Sequence, residues 1–205
     1  LPTSFTVGEW IAVGLARVKA DRNDACVAAY ETLVEQARTS NVHAGPAVVL
    51  SSDKGTRVLV MVGVRGHDGF RHLSAAWDDH HRFEQHRVIS ESVAFALYNV
   101  AAAVGESAID PATHDAYEFE RVERPVSHVA ELFASAGASP EFRGATLLVG
   151  DAPDATIIIS RFAHIAAYGA FRSSRAATNA LGSVGESGDA SFAAHARKTF
   201  ALAGA

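Results

Sequence analysis

The feature that most constrains this chain is a repeat. Hydrophobic periodicity gives the order strand, helix, strand, strand, helix, strand over about residues 5–104, and the same order again over 113–205. The register of the repeat is clearest on two helices. On a helix over Phe70 to His86, FRHLSAAWDDHHRFEQH, the residues Phe70, Leu73, Trp77 and His81 share one arc. Adding 98 carries those four positions onto Tyr168, Phe171, Arg175 and Asn179. A period of this length is too long for a solenoid repeat and suits a duplicated domain.

The repeated unit is the split β-α-β-β-α-β motif, which predicts an α+β fold of two ferredoxin-like units. Helices cover only one face of each sheet, so the other apolar face needs a partner. Two units in one chain can supply it by packing sheet to sheet. The stretch GESAIDPAT, Gly105 to Thr113, is rich in turn formers and reads as the linker between units 5–104 and 113–205. Strands are expected at Trp10 to Val18, Ala47 to Ser51, Arg57 to Val64 and Val93 to Val104 in the first unit. Those of the second are Tyr117 to Val122, Thr146 to Val149, Thr156 to Ala163 and Phe192 to Leu202. Cys26, Tyr30, Leu33, Val34 and Ala37 form one helical stripe, with Asp21 or Asp24 placed to cap it. Val129, Leu132, Phe133 and Ala136 form its counterpart.

Several classes of function are disfavoured. The 18 basic residues are scattered, and the net charge of -5 offers no nucleic-acid surface. No apolar run is long enough to span a membrane, and the first residues lack the pattern of a signal peptide. The lone Cys26 excludes an internal disulfide and fits a reducing, cytoplasmic setting. His80, His81, Asp78 and Asp79 cannot converge on a metal, because adjacent helical residues point apart. Neither a phosphate-binding glycine loop nor a G-x-S-x-G nucleophile elbow is present.

The candidate site follows from the two helix faces. An inward imidazole one turn after Trp77 is either a satisfied core histidine or part of a lined pocket, and both readings stand at this point. An inward Arg175 needs a carboxylate, a ligand or a water-filled cavity, since an unpartnered buried cation is costly. Phe70, Leu73, Tyr98, Tyr168 and Phe171 are the candidate lining residues, with a core role for Tyr98 as the alternative.

The element order, together with the helix pattern W-x5-F-x2-H formed by Trp77, Phe83 and His86, resembles the dimeric α/β-barrel superfamily. Within it, the chain is similar to antibiotic-biosynthesis-monooxygenase-like proteins, here as a tandem fusion covering nearly its whole length. The resemblance implies oxidation of a phenolic or polycyclic aromatic, polyketide-like substrate without metal, flavin or other cofactor. Trp77 would stack on the ring system, His81 would act as base or donor, and Arg175 with Asn179 would stabilise an enolate. Leu73 and Phe83 stand where quinone-forming members carry Asn and Tyr. The haem-degrading branch gives a second implied function, with His86 as the haem ligand, although the first strand offers no Asn around Val13 to Ala16. A barrel that binds a small aromatic molecule or serves assembly without chemistry is the third. Further pairing into a homodimer is left open.

Overall fold

The computed structural model describes residues 2–39, 43–77, 87–122, 141–151, 156–178 and 191–200. The first half contains β1 (Trp10–Val18), α1 (Asn23–Thr39), β2 (His43–Ser52), β3 (Arg57–Val64), α2 (Gly66–Trp77) and β4 (Ser90–Gly105). The second contains β5 (Ala116–Val122), β6 (Phe142–Gly150), β7 (Thr156–Phe162), α3 (Ile165–Thr178) and β8 (Ser191–Phe200). The stripe expected around Val129 to Ala136 lies outside the described residues. Among the described residues, no helix is long and apolar enough to cross a membrane.

The strands close into one barrel in the order β1-β3-β2-β8-β5-β7-β6-β4, with every neighbouring pair antiparallel. Each half supplies four consecutive strands in equivalent order, β4-β1-β3-β2 and β8-β5-β7-β6. The halves are joined by two seams. In one, β2 pairs with β8 from Ala47↔Phe200 to Ser52↔Ala194. In the other, β4 pairs with β6 from Tyr98↔Gly150 to Gly105↔Gly144. Closure satisfies the edge groups that each open sheet would otherwise present to another chain. At the second seam Gly105 has φ +60°, and a Cβ there would come 2.3 Å from the Arg143 carbonyl oxygen, so this position needs glycine.

Strand β3 illustrates how the sequence builds two layers. Its residues RVLVMVGV are almost all buried because both faces are covered. Val58, Val60, Val62 and Val64 pack outward with the α1 stripe Cys26, Val27, Tyr30, Leu33, Val34 and Ala37. Leu59 and Met61 point the other way, into a barrel interior shared with Ile11, Val13, Leu50, Phe119, Leu148 and Ile159. Phe5 from the N-terminal segment and Ile109 from the linker enter the same interior cluster. Thr3 and Ile109 exchange backbone hydrogen bonds of 2.7 Å, which pins the two segments together over that end of the barrel. The region expected to be a linker is therefore part of the packed structure.

Helix α1 starts at Asn23, between the two aspartates considered as caps. Asp24 lies in its first turn, where a negative charge suits the helix dipole, and Asp21 precedes it at φ 59°. The Asn23 side chain ties this helix start to the β2–β3 turn. It donates to the Gly55 carbonyl at 3.0 Å and accepts from the Ser51 hydroxyl at 2.9 Å.

Candidate functional site

The residues that drew attention in the sequence fall in three places. Phe70 and Tyr98 come together. Phe70 lies half-buried on α2, its ring stacked on Phe95 of β4 at 5.2 Å between centroids. Tyr98, three residues along β4 from Phe95, is buried and contributes to the interior cluster. Burial pushes its phenol above the ordinary tyrosine range, with the Arg121 charge acting in the opposite direction. Leu73 is 1% exposed and belongs to the core between α2 and the outer face of the first-half sheet. Tyr168 and Phe171 lie in the second half, in an aromatic cluster of their own. Phe171 is 5.1 Å from Phe162 and 6.3 Å from Phe142, and Tyr168 meets Phe162 edge-on at 5.7 Å.

Trp77 is the last residue of α2 and Arg175 lies on the last turn of α3. Their side chains, and His81, His86 and Asn179 altogether, lie outside the described residues. The helix expected over 70–86 begins at Gly66, four residues earlier, because Gly66 at φ +64° turns the chain directly out of β3. His72 is exposed, and its Nδ1–H donates to the Asp68 carbonyl at 2.8 Å.

Phe70 and Tyr98 border a cleft formed where β4 runs past the end of β6. Strand β6 stops at Gly150, opposite Tyr98, while β4 continues back to Ser90. The step between them, flanked by the first turns of α2, opens a cavity of about 530 Å³. Its lining comes from both halves: His67, Phe70 and Arg71 of α2, the β4 segment from Phe95 to Tyr98, and Gly150 with Asp151. That volume lies within the usual span of small-molecule sites, roughly 300–1,000 Å³. The walls are largely apolar and aromatic, and the polar groups sit at one rim.

The rim holds a pair that periodicity did not single out. His67 Nε2 is 3.0 Å from Asp151 Oδ2, joining α2 of the first half to the end of β6 in the second. The Trp10 ring meets the same imidazole edge-on at 4.8 Å. A carboxylate can only accept, so this bond favours the tautomer with hydrogen on Nε2 and a lone pair on Nδ1. An imidazole held by an aromatic edge and a carboxylate, beside an aromatic-walled cleft, has the parts of a positioned proton acceptor. Both side chains are more than half exposed, so a bound ligand would have to exclude water from them.

The repeat did contain a trace of this pair. Asp151 lies 98 residues after Asp53, each just beyond the second strand of its half. Asp53 also reaches a histidine of the opposite half, His195 on β8, at 3.4 Å. Among the described residues, no group of three His, Cys, Asp or Glu side chains is placed to hold a metal ion.

No protein-family profile matches the chain, and none of the curated proteins matches it in sequence. Solved structures do. An anthrone oxidase-like protein superposes with a TM-score of 0.69 at 14% identity, over 95% of this chain and 94% of its own. A candidate monooxygenase from Lactobacillus acidophilus gives 0.59 at 10% identity, over 95% and 97%. Another, from Fusobacterium nucleatum, gives 0.58 at 14% identity over 98% of each chain. At these identities the likeness is one of fold, and it extends over nearly the full length of both partners. The chain thus has the dimeric α/β-barrel fold of the monooxygenase-like proteins, with both ferredoxin-like halves supplied by one polypeptide.

Proposed function

We propose that this protein is an oxygenase that oxidises a flat phenolic or polycyclic aromatic substrate in the cleft between α2 and β4. The observation that carries the reading is the His67–Asp151 pair at the rim of a cavity walled by Phe70 and Phe95. The fold shared with an anthrone oxidase-like protein supports the choice of substrate class.

The chemistry asks little of the protein beyond binding and proton transfer. His67 Nδ1 takes a proton from an activated C–H or O–H of the bound ring system, and Asp151 stabilises the imidazolium that results. The substrate anion passes electrons to dioxygen, a C–O bond forms, and the resulting hydroperoxide loses water to leave a carbonyl. The proton taken by His67 goes to the peroxide oxygen to give that hydroperoxide, and the second C–H proton leaves with the departing hydroxide as water. One substrate CH2 and one O2 thus become C=O and H2O, and no resident cofactor is required. Phe70 and Phe95 hold the ring, and Trp77 would be a further residue to stack on it. Arg175 and Asn179 would provide donors in the second half, and His81 is the competing candidate for the base.

The test is oxygen uptake and quinone absorbance with an anthrone or a naphthol. His67→Ala should lower kcat by roughly 10²- to 10⁴-fold, and Asp151→Asn should lower it less. Phe70→Ala should mainly raise KM. His81→Ala in parallel separates the two imidazoles: a large kcat loss there with none in His67→Ala would move the base to His81. Absence of turnover with every such ring system, or full activity in both histidine variants, would end the oxygenase reading.

A further inference from the structure

Strand β4 has an open stretch on one side. It pairs with β1 from Ser90 to Asn99, but with β6 only from Tyr98 onward. Between Ser90 and Leu97, β1 is its only paired neighbour among the described residues. The barrel wall therefore has a slot there, between the free edge of β4 and the end of β6. Side chains around the slot come from both faces of β4. Phe95 and Leu97 pack with the outer layer under α2, and Tyr98 packs with the interior cluster. Successive strand residues point to opposite faces, so Ala96 shares the interior side with Tyr98. All four line the α2–β4 cleft. A cavity that touches both faces of one strand has to pass round its edge.

A second cavity, of about 240 Å³, lies on the inner side of β4. Ala96 and Tyr98 line it as well, so the two cavities meet at these residues. Its walls differ from those of the cleft. Val13 and Leu15 of β1, Ala94 of β4, Phe119 of β5 and Ile157 of β7 make it mainly aliphatic, whereas Phe70 and Phe95 give the cleft flat aromatic walls. Arg17, Arg57 and Arg121 also line it, from strand ends where their side chains reach solvent. The inward positions of β4 nearest the slot are Ala94 and Ala96, both exposed, and neither side chain is long enough to cross it.

We propose that the cleft and the inner chamber are two parts of one site, and that its ligand is a flat aromatic carrying a short alkyl substituent. The ring lies in the cleft against Phe70 and Phe95, and the substituent passes round the edge of β4 into the barrel. The inference rests on the cleft being the place of the ring and adds the shape of the molecule that fits there. The chamber is smaller than the usual small-molecule site of roughly 300–1,000 Å³, so it takes a chain of a few carbons and not a second ring system. Its aliphatic walls favour such a chain by removing it from water, without a directional contact.

The test is calorimetric titration of the whole chain with 2-naphthol and with 6-butyl-2-naphthol, under nitrogen so that turnover does not enter. The butyl compound should bind roughly 10²-fold tighter, the gain expected for burying four carbons. Ala94→Phe fills the chamber from an exposed position that does not line the cleft, and should bring the ratio of the two dissociation constants close to one. Leu15→Phe, on the cross-strand partner of Ala94, should do the same and provides a second variant should the first not fold. Phe70→Ala should weaken both compounds alike and keep the ratio. Equal affinity for both compounds in the parent, no binding of the butyl compound, an undiminished ratio in folded Ala94→Phe and Leu15→Phe proteins, or parental binding of both compounds by Phe70→Ala would each overturn the proposal. Oxygen uptake with the same compounds is read separately. Chain-selective binding without uptake would remove the oxygenase reading and leave the two-part site in place.

Discussion

The two halves of the barrel repeat one backbone and differ in what they bury against their helices. Ala12 of β1 pairs with Val62 of β3, and Glu118 of β5 pairs with Ser160 of β7. Val62 and Ser160 are 98 residues apart, the offset of the repeat, so Ala12 and Glu118 occupy equivalent positions. In the first half this outer face has no buried carboxyl among the described residues, and Ala12, Ala16, Val58, Val60 and Val62 are all inaccessible to solvent. In the second half the same face carries Glu118 and Glu120, at 0% and 3% exposure, with Thr156 and Ser160. Carboxylates are almost never buried so completely without partners, and both glutamates are engaged. The ladder and the alternation of side chains fix the register of both halves alike. They leave free what chemistry each face presents, and only the second half has used that freedom for charge.

The ends of the equivalent strands diverge in the same way. Arg161 of β7 is the counterpart of Gly63 of β3, again 98 residues apart. A Cβ on Gly63 would come 2.7 Å from the Gly45 Cα, so the first half brings two backbones together there. In the second half Arg161 Nε donates to Asp115 Oδ2 at 2.6 Å, and its Nη1 donates to the Glu106 carbonyl at 3.2 Å. One half closes its strand end by close approach, and the other by an ion pair that also anchors the linker.

The largest expected effect comes from giving the first half the charge of the second. Ala12→Glu places a carboxyl in a cluster made almost wholly of aliphatic and aromatic side chains. A fully buried carboxylate shifts by about 3–5 pKa units, which corresponds to roughly 4–7 kcal/mol. The variant should fail to fold or melt far below the parent by circular dichroism. Glu118→Ala should cost less, about 1–3 kcal/mol, because it leaves partners unsatisfied without introducing a charge. If Ala12→Glu folds with near-parental stability, the first-half face can hold charge and the contrast disappears.

Next in size is the ion pair at the linker. The Asp115 and Arg161 side chains are 6% and 12% exposed, and Arg161 Nη2 also lies 2.5 Å from Asp115 Oδ2. Asp115→Ala strands a nearly buried cation, which should cost about 3–5 kcal/mol in urea unfolding. Asp115→Asn keeps an acceptor oxygen and should cost less. A loss below about 1 kcal/mol for Asp115→Ala would mean that the pair behaves as an exposed one.

What could be read from the sequence divides along the line between local and non-local causes. Strands β1 and β3 and the α1 stripe were legible because their alternation, or their i, i+4, i+7 spacing, is complete within a few residues. Strand ends were less so. β4 extends from Ser90 to Gly105, beyond the expected 93–104, and β6 begins at Phe142 rather than Thr146. Those extra residues are set by pairing with β1, β6 or β7, which no local pattern announces. The site follows the same rule. Phe70 was visible from helical spacing, but His67 meets Asp151 across 84 residues and across the two halves. Only the repeat, which aligns Asp53 with Asp151, carried any sign of that pair.

The smallest expected effect concerns alkaline pH and belongs to the first half. Burial pushes the Cys26 thiol from an ordinary value of 9.0 up to about 12. The folded state therefore holds a proton that the unfolded chain has released, and stability falls as pH rises from about 9 toward about 12. Burial raises the neighbouring Tyr30 in the same direction, extending the fall to higher pH. Cys26→Ala removes the titrating group along with a buried sulfur, so it should cost about 1 kcal/mol at neutral pH. That cost should shrink as pH rises, because the parent loses a contribution that the variant never had. The second half offers the contrast. Tyr117 is also raised by burial, but the hydrogen bond from the Asp110 backbone N–H to its hydroxyl oxygen works in the opposite direction. Tyr117→Phe should leave the pH dependence between 8 and about 9.5 unchanged, since an ordinary phenol titrates near 10. Urea unfolding of the parent and both variants at neutral pH and near pH 9.5 measures the difference. A Cys26→Ala cost that stays constant or grows with pH would mean the thiol titrates in the folded protein as it does in the unfolded chain.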